Sequence, residues 1–169
     1  MAGEDRSSHS VKLRTATAGD EEVLLEIYAS TRADELAVTS WSAPEREAFV
    51  RMQFAAQRDY YRAQYPNGDH RLILADDHPA GRLYTAENED EIRILDITVL
   101  PHLRGAGIGT PLINEVLSRA KEAGKPVRIF VETLNPSRRL FERLGFTVIE
   151  EDGLNVLLEC RPSPERNTP

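Results

Sequence analysis

The sequence predicts an α/β (α+β) domain in which a mixed, mainly antiparallel central sheet is flanked by helices. Two segments of helical period follow a first strand, and three alternating segments then follow one another directly. A strand, a glycine-rich loop, a helix and a further strand come next. The 169 residues are 40% apolar, which is enough for one core. We expect a single domain over residues 11–160, with flexible polar tails at 1–10 and 161–169.

The first half of the chain is predicted to contain one strand and two helices. The strand is VKLRTAT (11–17), and a capping signal at Thr17 precedes the first helix, which we expect to end near Ser30. A second capping signal at Ser42 opens a helix that runs to about Gln64. The inner face of this second helix is predicted to carry Phe49, Gln53, Ala56, Tyr60 and Ala63.

Strands dominate the middle of the chain. The segments RLILADD and GRLYTAE flank the predicted turn DDHPAG, and EIRILDITVL (91–100) is a third strand in succession. After a glycine-rich loop, apolar residues at helical spacing predict a helix that Gly124 ends. The next segment, VRIFVET (127–133), is predicted to be a strand.

The last part of the chain is predicted to hold a short helix and a hairpin. Asn135, followed by a proline, opens the helix, and Gly145 ends it. The segments FTVIEE and LNVLLEC are joined at Asp152 and Gly153, which is typical of a hairpin turn.

Composition excludes several classes of function. The net charge of −7 and the isoelectric point near 5.2 argue against nucleic acid or an anionic membrane as a partner. The lone Cys160 cannot form an internal disulfide, and the four histidines lack the spacing of a zinc site, so we expect no metal. Nowhere do 18 apolar residues run together, which predicts a soluble, cytoplasmic protein.

The most informative stretch is PHLRGAGIGTPL (101–112), in which three glycines alternate directly before a helix. A helix N-terminus offers unpaired N–H groups and partial positive charge, and glycines let an anion approach them. Pro111 has no N–H, so the donors must come from Gly105 to Thr110. A P-loop would need a lysine after the glycines, and a dinucleotide site would need GxGxxG with further βαβ units. The sequence offers neither.

RGAGIGT (104–110) fits the R/Q-x-x-G-x-G/A loop of the GNAT superfamily of acyl-CoA N-acyltransferases, and the chain resembles that family elsewhere too. NPSRRLFERLGF (135–146) is similar to the family's N-x-x-A-x-x-L-Y-x-[KR]-x-G-F segment, and the order of elements is the family's over about 11–160. The resemblance implies the GNAT fold, with the sheet splayed at the strand that binds acetyl-CoA. It also implies acetyl-CoA as cosubstrate.

The resemblance further implies which residues hold acetyl-CoA. The end of the fourth strand would pair with the pantetheine arm, the glycine loop would hold the pyrophosphate, and an asparagine would bind near the far end of the arm. Arg138, with Arg139 and Arg143, would meet the nucleotide phosphates or form a solvated helix face. The implied binding residues are Ile97, Thr98, Val99, Arg104, Gly105, Ala106, Gly107, Ile108, Gly109, Thr110, Asn135 and Arg138.

The implied reaction moves an acetyl group from acetyl-CoA to a primary amine. Two carboxylates are candidate bases: Glu91, otherwise a solvated strand end, and Asp96, otherwise a structural hydrogen-bonding group. The family's acid is a tyrosine, but Phe141 stands in its place, which leaves water or one of Tyr84, Tyr60 and Tyr61. The alternative is a weak or inactive acetyl-CoA-binding module that acts as a sensor or partner-binding domain.

The acceptor is expected to be a small-molecule or peptide amine, held by residues 30–65 as in the family. Aromatic residues of this region could form its walls, with Asp34 and Glu35 as cation-attracting groups. Closing strands of family members often pair between subunits, so the resemblance is compatible with a homodimer, although the sequence does not define the oligomeric state. The candidate wall residues are Trp41, Phe54, Tyr60, Tyr61 and Tyr65.

Overall fold

A computed structural model describes residues 8–163, which form four helices and seven strands joined mostly by short turns. Single 3-10 turns, Ala18–Asp20 and Pro101–Leu103, precede α1 and α3. The helices are α1 (Glu21–Ala37), α2 (Ala43–Gln64), α3 (Gly109–Ala123) and α4 (Arg138–Arg143). The strands are β1 (Val11–Thr15), β2 (Asp69–Ala75), β3 (His78–Glu87), β4 (Ile92–Val99), β5 (Val127–Glu132), β6 (Thr147–Glu151) and β7 (Asn155–Cys160).

The strands form one seven-stranded sheet in the order β1-β2-β3-β4-β5-β7-β6. The β1–β2, β5–β7 and β6–β7 pairs are antiparallel, whereas β4 and β5 are parallel because α3 connects them. The predicted mixed, mainly antiparallel sheet flanked by helices is therefore confirmed.

Contacts divide the chain into two compact units. The first contains the described residues up to Tyr84 together with Ile97–Ile108, and the second contains Thr85–Asp96 and the chain from Gly109 onward. The single domain over 11–160 stays a prediction. Residues 1–7 and 164–169 of the predicted tails lie outside the described residues.

In the first unit, α1 and α2 pack against β2 through a cluster that includes Ile27, Phe54 and Leu72. The prediction that the first helix ends near Ser30 is wrong, because α1 continues to Ala37. Leu36 is buried on the same face as the earlier apolar residues, so burial of an extra turn favours the longer helix.

The inner face of α2 also differs from the prediction. Val50 and Phe54 are its buried residues, whereas Ala56, Tyr60 and Ala63 are exposed. The predicted face is rotated about the helix axis relative to the buried face. Because α2 has few strongly apolar residues, the sequence pattern wrongly assigned small and aromatic side chains to the interior. The predicted cap at Ser42 is confirmed, since its hydroxyl accepts a hydrogen bond from the N–H of Glu45.

The turn between β2 and β3 is shorter than DDHPAG. Only Asp76 and Asp77 form it, and both have positive φ, at 51° and 66°, as a type I′ hairpin turn requires. His78–Glu87 is already β3, so the proline that suggested a longer turn lies inside the strand.

The second unit follows the sequence pattern closely. The apolar stripe of α3 is buried as predicted, through Leu112, Ile113, Val116 and Ala120. The closing hairpin turns at Asp152 and Gly153, where the Asp152 carboxylate accepts from the N–H of Asn155 at 2.7 Å. Both observations confirm local signals that need no distant residue.

None of the helices within residues 8–163 is long and apolar enough to cross a membrane. Over the same part of the chain, no group of three or more histidine, cysteine or acidic residues is placed to hold a metal ion. The Cys160 thiol is half-buried, which raises its pKa.

Candidate functional site

The parallel pairing of β4 with β5 is short. The register covers three pairs, from Ile92↔Val127 to Ile94↔Ile129, although β4 continues to Val99 and β5 to Glu132. The implied binding residues Ile97, Thr98 and Val99 therefore lie on the part of β4 that follows the end of this ladder.

The hairpin of β3 and β4 also carries an irregularity near the end of β4. Asn88 donates to the carbonyl of Glu91 at one end, and Leu100 donates to the carbonyl of Ala80 at the other. Between these two hydrogen bonds the chain advances nine residues along β4, from Glu91 to Leu100, but only eight along β3, from Ala80 to Asn88. The β4 side therefore holds one extra residue, which is the pattern of a β-bulge.

Gly81 of β3 locates this irregularity. A Cβ added at Gly81 would lie 2.0 Å from the carbonyl oxygen of Thr98 and 3.0 Å from the Cα of Val99. One residue of β3 thus faces two residues of β4, as at a bulge. The family motif does not include Gly81, and Gly81 was not a predicted site residue, although an isolated glycine inside a strand pattern is a signal for such a site.

The glycine-rich loop leaves β4 in an open conformation. The Arg104 side chain folds back and donates from Nε to the Val99 carbonyl at 3.0 Å. Gly105 and Gly107 have φ of 76° and 77°, and an added Cβ at either would meet no described atom within 4 Å, chain neighbours aside. Ile108 is 3% exposed and anchors the loop before α3 begins. The glycines are therefore required by backbone conformation, and they leave space around the loop.

The start of α3 supplies the donors that the sequence predicts. α3 begins at Gly109, so the N–H groups of Gly109 and Thr110 belong to its first turn and have no carbonyl one turn earlier within the helix. Pro111 contributes no N–H there. The N–H groups at the start of the helix can serve as backbone donors to an anion.

The other implied binding residues lie in the second unit. The Asn135 side-chain oxygen accepts from the Ser137 N–H at 2.9 Å, so Asn135 caps the turn before α4. Arg138 donates to Glu142 at 2.8 Å, which raises the pKa of the guanidinium. Phe141 is 1% exposed and packs edge-on against Phe146, with ring centroids 5.2 Å apart. Phe141 is therefore a core residue of this unit.

Glu91 is not the solvated strand end that was its alternative interpretation. It is 7% exposed, and its two oxygens contact Arg93 at 2.8 Å and Arg128 at 2.9 Å. Arg128 also binds the buried Glu159 at 2.7 Å. These contacts favour a structural role for Glu91, which the sequence could not show because Arg128 and Glu159 lie on other strands. Asp96 lies within β4 and is partly buried.

The candidate tyrosines have different surroundings. Tyr60 is exposed, whereas Tyr84 is 7% exposed, stacked on His70 with centroids 4.3 Å apart and in edge contact with Tyr61. Burial raises the pKa of Tyr84 despite the opposing influence of nearby Arg62 and Arg82. Tyr84 is therefore protonated at neutral pH. The two arginines beside it were not predicted as site residues, because α2 and β3 bring them together from distant positions.

Comparisons with known proteins agree with this geometry. The sequence profile of the Acetyltransferase (GNAT) family matches residues 31–146. A comparison with curated proteins gives no significant match. Among solved structures, the chain is similar to PaiA N-acetyltransferase from Thermoplasma acidophilum in complex with coenzyme A, with 20% identity and a TM-score of 0.69 over 90% of this chain and 99% of that one.

Two further structures show the same fold. Ard1 from Thermoplasma volcanium is 19% identical, with a TM-score of 0.61 over 91% of this chain and 99% of that one. An acetyltransferase from Thermus thermophilus is 16% identical, with a TM-score of 0.64 over 90% of this chain and 97% of that one. The profile match covers more than half of the sequence and includes the glycine-rich loop and the segment that follows Asn135. By its sequence profile and its fold, the chain belongs to the GNAT family of acetyltransferases.

Proposed function

We propose that this protein is an N-acetyltransferase that moves an acetyl group from acetyl-CoA to a primary amine. The observation that carries the proposal is the open loop of Gly105 and Gly107, placed between the end of β4 and the start of α3. Membership of the family supports acetyl transfer, and one solved relative is a complex with coenzyme A.

The residues present fit acetyl-CoA as donor. The space around Gly105 and Gly107 would be narrowed by any side chain, and backbone N–H groups up to Thr110 are available to a pyrophosphate. In the family the pantetheine arm pairs with the strand end that Ile97–Val99 match, and an extended amide-bearing arm adds to such a strand through its backbone. We therefore assign the pyrophosphate to the loop and the arm to the end of β4.

The chemistry that acetyl-CoA supplies is an acetyl thioester, to which an amine adds with departure of the thiolate. A backbone N–H near Val99 would stabilise the charge that develops on the carbonyl oxygen. An amine with a pKa near 10.4 costs about 4.6 kcal/mol to deprotonate at pH 7, whereas one near 8 costs about 1.4 kcal/mol. An acceptor amine with a pKa near 10.4 therefore needs a positioned base to remove its proton, whereas an amine with a pKa near 8 scarcely needs one.

Of the two predicted bases, Glu91 suits the role less well. Both oxygens of Glu91 are held by guanidinium groups, which block its approach to a substrate proton. Asp96 lies on β4 directly before the segment assigned to the arm. Both assignments stay predictions.

The proton that the leaving thiolate needs cannot come from Phe141, which is a buried ring with no exchangeable proton. Water or Tyr84 remain as donors, and a thiolate with a pKa near 8.5 can also leave unprotonated. The missing tyrosine favours the second candidate function, a module that binds acetyl-CoA without turning it over.

A thiol-release assay separates the two functions. The full chain is incubated with acetyl-CoA and a panel of simple primary amines, polyamines, aminoglycosides and peptides with free N-termini. We expect amine-dependent release of coenzyme A with at least one class, and acetyl-CoA should raise the melting temperature. Stabilisation without release from any amine would favour the module, and the absence of both would contradict acetyl-CoA binding altogether.

A further inference from the structure

The first unit contains a pocket that the proposed donor site does not use. It encloses about 160 Å³ between the start of α1, the second half of α2 and β3. Leu24 and Phe54 give it an apolar side, and the remaining walls are polar or aromatic. Its other lining residues are Ala16, Thr17, Ala18, Glu21, Arg58, Tyr61, Arg62, His70, Arg82 and Tyr84.

The charge of the lining is positive although the whole chain carries −7. Three arginines face a single acid, Glu21. Arg58 is already neutralised, since it pairs with Glu21 and with Asp59. Arg82 is 3% exposed and donates to the neutral oxygen of Gln57 at 2.5 Å. Arg62, in the last turn of α2, pairs with no carboxylate among residues 8–163. The guanidinium of Arg62 is therefore available to an anionic ligand in the pocket.

Tyr84 supplies a second polar group. Its ring is held by the stack on His70 and the edge contact with Tyr61, so the hydroxyl has a fixed position. Within the described part of the chain this hydroxyl makes no hydrogen bond, although the residue is buried and lines the pocket. The hydroxyl is therefore accessible from the pocket, where a ligand or solvent can accept its hydrogen bond.

We propose that this pocket binds the carboxylate of a small ligand, with the Arg62 guanidinium and the Tyr84 hydroxyl as its donors. A guanidinium matches a carboxylate in geometry, and a protonated phenol adds one donor. The small volume and the neighbouring Glu21 and Asp59 disfavour a doubly charged phosphate, while Leu24 and Phe54 can contact a short carbon chain.

The carboxylate has two possible sources, an acceptor amine that carries it or a separate effector acid. Arg82 directly follows Gly81, the residue that faces Thr98 and Val99. Arg82 and Tyr84 share one face of β3, because side chains alternate along a strand. The pocket thus adjoins the strand segment next to the proposed acetyl site, which favours the acceptor. This last step rests on the proposed function, whereas carboxylate binding does not.

Calorimetric titration of the full chain tests the binding. The probes are 4-aminobutyrate and 6-aminohexanoate, with butylamine lacking the carboxylate and butyrate lacking the amine. We expect both amino acids and butyrate to bind at millimolar concentrations or below, and butylamine to bind at least tenfold more weakly. Equal binding of butyrate and butylamine, or no binding by any acid, would overturn the proposal.

Variants assign the binding to this pocket. Arg62→Gln should weaken butyrate binding about tenfold, because a charge-assisted hydrogen bond is lost, and Tyr84→Phe should weaken it about fivefold. Arg51→Gln, an exposed arginine earlier on α2 outside the lining, is the control and should leave the affinity unchanged. If Arg62→Gln and Tyr84→Phe remain folded and bind butyrate like the wild type, the pocket is not the site.

Thiol release distinguishes the two sources. If the amino acids are acceptors, they should release coenzyme A, and Arg62→Gln should raise their KM without changing that of butylamine. If they bind but release nothing, the ligand is an effector. If the acids bind and acetyl-CoA does not, the proposed acetyltransferase function is contradicted, while carboxylate binding by the pocket is supported.

Discussion

Two regions of the first unit, Gly81 in β3 and the loop of Gly105 and Gly107, use glycine for opposite reasons. Gly81 in β3 is required by contact, since a Cβ there would lie 2.0 Å from the Thr98 oxygen. Gly105 and Gly107 are required by positive φ, and an added Cβ would meet open space. Among the described glycines, Gly81, which lies outside the family motif, thus marks the closest backbone approach, while Gly105 and Gly107 of the motif mark a loop with space around it.

Gly81→Ala should have the largest effect. The backbone of β4 cannot move aside as a flexible side chain can, so we expect the free energy of unfolding to fall by about 3 kcal/mol. Urea unfolding followed by circular dichroism measures it. The control is Gly19→Ala, whose Cβ would make an ordinary 3.6 Å contact with Thr17. Equal stability of the two variants would show that β3 and β4 are not in tight contact at Gly81.

Gly107→Ala should have a smaller effect of a different kind. The new side chain has space but must adopt φ near 77°, which costs about 1 kcal/mol of unfolding free energy. Gly109→Ala is the matched control, because Gly109 is helical and its Cβ would lie 3.7 Å from Leu140. That variant should be unchanged or more stable by a few tenths of a kcal/mol. A loss in Gly107→Ala as large as that in Gly81→Ala would remove the distinction between the two regions.

The sequence predicted the elements whose signals are local. The apolar stripe of α3, the cap at Ser42 and the turn at Asp152 each depend on neighbours a few residues away, and each is observed. The predictions for the end of α1 and for the inner face of α2 were wrong. Where the local sequence pattern is weak, burial against the rest of the fold decides both features. The sequence also could not show why Gly81, Gly105 and Gly107 must be glycine, since neither backbone φ nor contacts with distant residues can be read from the order of residues.

The candidate site divides in the same way. The contiguous loop from Arg104 to Thr110 could be found by its motif and lies where the motif implies. The partners of Glu91 come from β4 and β5, and the pocket beside Tyr84 combines α1, α2, β2 and β3. Their spacing in the sequence does not show that these residues are neighbours, because they come together only when the strands and helices pack.

The central claim is that the open loop holds the pyrophosphate of acetyl-CoA, and a charge change in that loop tests it most directly. Ala106 is exposed between Gly105 and Gly107, so Ala106→Glu and Ala106→Gln should fold equally well and differ only in charge. Calorimetric titration with acetyl-CoA at low salt should show binding about tenfold weaker for the Glu variant than for the Gln variant, with the gap narrowing as salt screens the repulsion. Equal affinity of the two variants at low salt would contradict a pyrophosphate in this loop.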